Sequence, residues 1–274
     1  MSGILYVVGT PIGNLGDISP RALDTLEKCD FIAAEDTRVS LKLLNHFGLK
    51  KPMISYFEHN KFERGPVIAE KLLSGENGVI ITDAGMPAIS DPGEDLVKLC
   101  IEKGIKVEAV PGPCAFATAL AVSGMPSRRF TFEGFLPVEK NERKYIINSL
   151  VNEERTMIFY EAPHKLSAAL SDLAAALGDR EIAIVRELTK IHEQVIKTTL
   201  FAAAEKYSEE QLKGEIVLII SGASRKEEEE MTLEQAVAYA NGLIEEGESK
   251  TSAAKIAAKE SGFKKGDIYK FLVE

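Results

Sequence analysis

The sequence predicts an α/β protein: a mostly parallel sheet covered by helices on both faces, a second α/β region built on a mixed sheet, and a small helical module at the C-terminus. Three observations predict it. Short continuous apolar runs alternate with helical patterns through about residue 125, closely spaced strand-like runs restart after 127, and a charge run at 224–230 precedes three helix-length segments. Domains are expected at 1–125, 126–223 and 231–274. At 274 residues, 45% hydrophobic and 27% charged, the chain has room for two cores and reads as soluble and globular.

In chain order, the first strands are "ILYVV" (4–8), "FIAAE" (31–35), "GVIIT" (78–82) and "IKVEAV" (105–110). Each is mainly apolar, as expected of strands covered on both faces, although "FIAAE" ends in Glu35 and "IKVEAV" carries Lys106 and Glu108. Between the first two lies "DISPRALDTLEKCD", where Ser19 can cap, Pro20 suits the first helical position, and Leu23 and Leu26 share a face. "RVSLKLLNHFG" follows, with Leu41 and Leu44 at helical spacing and Gly48 as a stop. In the second region the strands are "RRFTFEGF", "TMIFYE" (156–161), "EIAIVRE" (181–187), "EQVIKTT" (193–199) and "EIVLIIS" (215–221). The last three have one helix-length insert among them, so the sheet is expected to be mixed. "SRKEEEE" (224–230) reads as a solvated linker. Beyond it Thr232 and Gln235 form a capping box, and Gly247 and Gly262 are helix stops.

Composition removes several classes. No apolar stretch approaches the length of a membrane span. "MSGILYVVGTPIGN" lacks a basic lead and reads as a buried strand rather than a signal peptide. Cys29, Cys100 and Cys114 are widely spaced and odd in number, which disfavours a disulfide framework and points to a reducing cytoplasm. His46, His59, His164 and His192 show no metal-ligand spacing, so no metal site is expected. The net charge of −9 argues weakly against nucleic acid, because an average hides local patches.

The informative residues follow the strands: "GTPIGN" after the first, "DTR" after the second, "DAGMPAISDPG" after the third and "PGPCA" after the fourth. In an open parallel sheet these ends share the edge where ligands bind. Neither GxGxxG nor GxxxxGK[ST] occurs, so no nucleotide-phosphate loop is implied. Glycine there lets backbone approach a ligand, although turn chemistry alone would also use it.

"LYVVGTPIGNLGDISPRALDTLEKCDFIAAEDTR", "DAGMPAISDPG", "VPGPCA", "FYEAPHKL", "RELTKIHE" and "GEIVLIISG" resemble, in order and from residue 4 onward, the tetrapyrrole methylase superfamily (class III methyltransferases). Within it they are similar to the branch that methylates small-subunit ribosomal RNA. Tetrapyrrole-modifying relatives typically carry "GDP" where this chain has Ala84–Gly85–Met86. The resemblance implies two α/β domains with a cofactor cleft between them, S-adenosyl-L-methionine as cofactor, and usually a homodimer. It implies methyl transfer to the ribose 2′-oxygen of a cytidine in the decoding region of 16S rRNA. Cofactor-binding positions carried over are Pro11 in the first loop, then Asp83, Gly85, Met86 and Ile89, then Cys114 and Ala115. From the second region come Tyr160 within the strand end Phe159–Glu161, Glu187, Leu188, Gly214, Glu215 and Ile216. The apolar ones among these, Ile89 and Ile216 especially, could instead be core.

A ribose hydroxyl is a poor nucleophile, so a base or polarising cation should help an in-line transfer that depends chiefly on alignment. Glu35, Asp36 and Arg38 of "EDTR" and Glu161 are the catalytic candidates, with His164, Lys165, Arg186 and Glu187 nearby in the motifs. The same charges could be structural ion pairs, and there need be no base. For RNA, Arg128 and Arg129 lead a stretch that also holds Lys140, Arg143 and Lys144, with Phe130, Phe132 and Phe135 interleaved and expected mostly in the core. Residues 249–274 carry six lysines against three acids, with Lys255 and Lys259 on one helix face. That tail is either an RNA-binding helical pair or a capping bundle or dimer arm. A tetrapyrrole methyltransferase and a non-catalytic RNA-binding module are the competing readings. The first should lack the basic tail; the second should need no cofactor.

Overall fold

A computed structural model describes residues 2–224 and 231–273, so the expected linker at 224–230 lies, apart from Ser224, outside the described residues. The chain divides into two compact units, Met1–Ala223 and Ser224–Glu274.

The first unit holds two five-stranded sheets. Strands β1 (Ile4–Val8), β2 (Phe31–Ala34), β3 (Met53–Ser55), β4 (Gly78–Ile81) and β5 (Lys106–Val110) pair in the order β3-β2-β4-β1-β5, every pairing parallel. Helices α1 (Pro20–Lys28), α2 (Thr37–His46), α3 (Lys61–Leu73), α4 (Gly93–Glu102) and α5 (Ala115–Ser123) make the crossovers. Alternate strand residues face opposite cores. Phe31, Ala33 and Ile80 meet Ile68 and Leu72 of α3 and Leu96 of α4, whereas Ile32, Ala34, Val79 and Ile81 meet Leu26 of α1 and Leu44 of α2. As expected, the Ser19 hydroxyl accepts the Ala22 N–H at 3.1 Å with Pro20 at the first helical position, and Gly48 takes φ +71 beyond α2.

The region 49–77, left without an element above, contains β3 and α3. β3 is a three-residue, half-buried edge with no apolar run to announce it. α3 carries Gly65 and Pro66, a pair that normally marks a break, yet burial of Ile68, Ala69 and Leu72 holds it helical.

The second sheet uses β6 (Phe130–Phe135), β7 (Thr156–Glu161), β8 (Glu181–Arg186), β9 (Gln194–Thr199) and β10 (Ile216–Ile220), in the order β6-β7-β10-β8-β9. Only β6·β7 is parallel among these pairings, so the sheet is mixed as the short connections imply. One face packs on α6 (Lys140–Ser149), α7 (Leu166–Leu177) and α8 (Leu200–Glu209). The other packs Ile158, Val185, Val217 and Ile219 on Ala119 and Leu120 of α5 and on Ile12. α5, "AFATALAVS", is apolar all round because it is clasped there.

Two expectations need correction. Phe130 and Phe135 are 39% and 56% exposed; Phe132 alone of the three packs into the core beneath α5. Arg143 is no free phosphate contact: it forms a largely buried ion pair with Asp172 (2.7 Å) and donates to Pro137 and Val138 carbonyls.

The second unit is three helices, α9 (Leu233–Glu245), α10 (Lys250–Ser261) and α11 (Lys265–Val273), around Ala236, Ala240, Ala253, Ala257, Ile268 and Leu272. Both bonds of the Thr232–Gln235 capping box form, and Gly262 ends α10 at φ +75. Lys255 and Lys259 are exposed, opposite the buried alanines. No helix of the described residues is long and apolar enough to cross a membrane. The three cysteines are free, and no cluster of His, Cys, Asp and Glu among the described residues could hold a metal ion.

Candidate active site

The loops that follow β1, β2, β4 and β5 are stitched together by backbone. Gly9 and Gly112 touch: a Cβ on Gly9 would lie 2.6 Å from the Gly112 Cα, so neither tolerates a side chain. Thr10 and Gly85 exchange backbone bonds (2.9 and 3.1 Å), and the Thr10 hydroxyl donates to the Thr82 carbonyl at 3.2 Å. The Asp36 N–H donates to Asp83 Oδ1 at 3.1 Å, which ties the second loop to the third.

The segment 83–93 folds around one carboxylate. Asp91 Oδ1 accepts the N–H groups of Ala88 (3.0 Å) and Gly93 (2.8 Å), and its Oδ2 accepts that of Ile89 (3.1 Å). This clasp holds Ala88 at φ +64 and Ser90 at φ +68, with Gly85 at φ +91. Left-handed backbone at a non-glycine residue costs about 1–2 kcal/mol and persists only where surroundings impose it. Among the described residues only four non-glycines are so held; the other two are Glu187 (φ +52) and Thr189 (φ +65), after β8. Glu187 is fixed in turn: its N–H donates to the Glu215 carbonyl at 3.0 Å, and its Oε1 accepts from Lys190 Nζ at 2.9 Å and from the Glu215 N–H at 3.1 Å. Gly214 must be glycine, since its Cβ would fall 2.3 Å from Glu187 Oε1. All four strained residues lie on two loops that face each other across a cavity.

That cavity has a volume of about 660 Å³ and lies between the two sheets, inside the usual range for small-molecule sites. Of the expected cofactor positions, Asp83, Gly85, Met86, Ile89, Cys114 and Ala115 line it from the first sheet, and Tyr160, Glu187, Gly214, Glu215 and Ile216 from the second. Among the catalytic candidates, Glu35 and Glu161 line it. Pro11 does not; it faces a smaller neighbouring cavity of about 250 Å³ that shares Thr82 and Asp83 as a wall. Leu188 is 6% exposed and packs in the core with Ile12 and Val217. Asp36 and Arg38 do not line the large cavity. Asp36 caps α2, accepting the Arg38 N–H at 2.8 Å, and pairs with the Arg38 guanidinium at 2.6 Å, a bond that holds its carboxyl down to about 2. His164 and Lys165 precede α7, and Arg186 donates to the Lys213 carbonyl. Arg128 and Arg129 are exposed.

Further lining residues are Ile12, Thr82, Ser90, Asp91, Phe135 and Lys190. Asp91 and Ser90 fall within 83–93, Ile12 within "GTPIGN" and Lys190 within "RELTKIHE", while Thr82 ends a strand run and Phe135 belongs to a stretch whose rings are expected mostly in the core. Tyr160 joins the halves, its hydroxyl accepting the Phe116 N–H at 3.1 Å, and burial pushes that phenol up to about 12.

Electrostatically the cavity is acidic. Glu35, Asp83, Asp91, Glu161, Glu187 and Glu215 line it, against the single base Lys190, which is bound to Glu187 and Glu215. Burial lifts the carboxyls of Glu35, Asp83 and Glu161, and for Glu35 the neighbouring Asp83 charge adds to it. Glu187 goes the other way, lowered first by its bond to Lys190. Burial also raises the Cys114 thiol, which makes it a poor nucleophile. Such walls suit a small organic cation with apolar parts.

Comparison with known proteins agrees with this geometry. Residues 4–204 match the family model for tetrapyrrole (corrin/porphyrin) methylases. The ribosomal RNA small subunit methyltransferase I of Synechocystis sp. is 44% identical over 99% of this chain and 98% of its own length. That of Bacillus subtilis is 44% identical over 97% and 93%. Among solved structures, the methyltransferase CobJ superposes with a TM-score of 0.62 at 17% identity, covering 81% of this chain and 95% of its own. Uroporphyrin-III C-methyltransferase from Thermus thermophilus, complexed with S-adenosyl homocysteine, gives 0.58 at 16% identity over 80% and 97%, a likeness of fold. The chain belongs to the tetrapyrrole methylase family and, within it, to the ribosomal RNA small subunit methyltransferase I family.

Proposed function

We propose that this protein transfers a methyl group from S-adenosyl-L-methionine to the ribose 2′-oxygen of a cytidine in the decoding region of 16S rRNA. The observation that carries this reading is identity of 44% from end to end with relatives named for methylation of small-subunit rRNA. Tetrapyrrole methylation is supported by the name of the matching family model, which also covers the rRNA branch, and by structures at 16–17% identity, which speak to fold.

The cavity fits the cofactor. Its volume, its apolar walls at Ile12, Met86, Ile89 and Ile216, and the backbone brought close at Gly85 and Gly214 match a ligand with an adenine, a ribose and a short polar tail. The cofactor supplies a methyl already activated on a cationic sulfur. The residues at 83–86 and 214–216 would hold it, and the six lining carboxylates complement its charge. Glu35 and Glu161 have the chemistry to orient the ribose hydroxyl and accept its proton, because burial raises the basicity of both. The pairing of Asp36 with Arg38 favours a role in shaping the second loop. The domains of this reading are 1–125 and 126–223, with 231–274 as an RNA-binding accessory. Exposed Arg128 and Arg129 and the tail lysines Lys255 and Lys259 meet phosphates of 16S rRNA within the small ribosomal subunit, the protein acting as a cytoplasmic homodimer.

Nucleoside mass spectrometry of rRNA from cells with and without the gene tests the reading. Loss of one 2′-O-methylcytidine from small-subunit rRNA is expected; an unchanged modification profile would overturn it. Binding of S-adenosyl-L-methionine, measured by calorimetry in excess chelator, should persist.

A further inference from the structure

We propose that Phe135 is a stacking platform for the target nucleobase at the mouth of the cavity, a role that rests on the rRNA reading above. Residues three apart on a regular strand face opposite sides of a sheet. Phe132 and Phe135 break that rule. Phe132 pairs with Ile158, Gly134 with Phe159 and Phe135 with Tyr160, because the register shifts between Phe132 and Gly134. The extra residue is a bulge, and bulges re-aim side chains beside functional sites. Here it brings both rings to Tyr160, at centroid distances of 4.9 Å for Phe132 and 5.4 Å for Phe135.

The bulge is built into the site. Gly134 sits at φ +65, and a Cβ on it would lie 2.9 Å from the Ser90 hydroxyl of the 83–93 loop. Phe135 lines the cavity yet stays 56% exposed, with Tyr160 packed on one side. A ring held at a rim by a strand irregularity leaves a flat apolar surface waiting for a flat partner. The enclosed walls at Ile12, Met86 and Ile216 already suit the cofactor. The remaining flat partner is the base of the nucleotide whose ribose enters. An aromatic ring offers a base lifted from its neighbours a stacking face without regard to sequence. Exposed Arg128 and Arg129 stand at the start of the same strand, where cations can follow the phosphates.

The test compares parent, Phe135→Leu and Phe135→Trp. It measures S-adenosyl-L-methionine affinity by calorimetry, affinity for small ribosomal subunits, and methylation kinetics on those subunits. Phe135→Leu should bind cofactor within about threefold of the parent while subunit affinity or KM worsens roughly 5- to 150-fold. Phe135→Trp, which keeps a stacking face, should restore most of that loss. A tenfold loss of cofactor affinity in Phe135→Leu would assign the ring to the cofactor and overturn the proposal. So would parent-like RNA kinetics in that variant, or a leucine variant that only loses self-association. If the parent itself leaves rRNA unmethylated, the underlying reading falls, and the stacking role with it; a methylating parent matched by Phe135→Leu refutes the stacking role alone.

Discussion

Replacing Asp91 by alanine removes one carboxylate that accepts three backbone N–H groups, at 2.8, 3.0 and 3.1 Å. Each charge-assisted bond is worth about 1.5–3 kcal/mol net when its partners are half-buried. Set against that is strain. Freed of the clasp, Ala88 and Ser90 can leave their positive φ values, recovering about 1–2 kcal/mol each. The three bonds outweigh the recovered strain, leaving a global loss of about 2.5–5 kcal/mol in the empty protein and a fall in Tm of roughly 5–20 °C for a unit of this size. A second effect falls on binding. A relaxed loop must be returned to its strained shape by the ligand, so cofactor affinity should drop at least tenfold, since about 1.4 kcal/mol is a factor of ten. Asp91→Asn keeps one acceptor oxygen, which can hold the Ala88 and Gly93 bonds, and should lie between the two. Calorimetric titration with S-adenosyl-L-methionine beside a thermal melt reads both quantities. A variant that melts lower but binds cofactor like the parent would show that the loop shape is not needed for binding, and the reasoning would fail.

Three further outcomes follow from the same geometry. Gly85→Val forces a β-branched residue to φ +91 with its Cβ 3.4 Å from Ile12, so a folded variant should lose cofactor affinity by tenfold or more in the same titration; parent-like binding would contradict the loop assignment. Glu161→Gln should raise the Tm of the empty protein at neutral pH, because burial raises the native carboxyl pKa and the charged form is therefore disfavoured on folding. The gain should vanish below the unfolded pKa, about 4.3, and grow as pH rises through the raised native value, so melts showing the opposite slope would refute it. Deleting 231–274 should leave cofactor binding intact, since every lining segment precedes residue 218, while lowering RNA affinity and its salt slope by about one per lost phosphate contact; equal slopes for full-length and truncated protein would assign the helices to capping or dimerisation.

What could be read from the sequence was what local chemistry decides. Ser19–Pro20 and Thr232–Gln235 state their helix starts in nearby residues, and β1, β2 and β4 of the parallel sheet are apolar runs. The cavity wall at 83–86 was legible because positive φ and close backbone approach need glycine and leave a compositional mark. Other features depend on partners far away in sequence. α3 survives Pro66 only through burial against β2 and β4, and β3 is a strand because β2 offers it an edge. Leu188 sits in a motif that lines the site, yet its side chain turns into the core while its neighbour Glu187 lines the cavity. The bulge at Glu133–Gly134 inverts the facing of Phe135, and alternation counted from Phe130 assigns that ring to the wrong side.

The acidic cavity constrains how an anionic polymer could be handled. Six carboxylates favour a cationic guest and repel phosphate, and Lys190 is neutralised where it stands by Glu187 and Glu215. A chain of net charge −9 has little positive field to spare elsewhere, so its grip on RNA must come from small basic groups at a distance, such as Arg128 and Arg129 or the lysines of α10. Only an uncharged part of a nucleotide can then approach the walls at low cost, and that part is the ribose with its base. An aromatic ring at the rim suits this arrangement better than an arginine would. It adds attraction for a neutral base without drawing a phosphate toward Glu161.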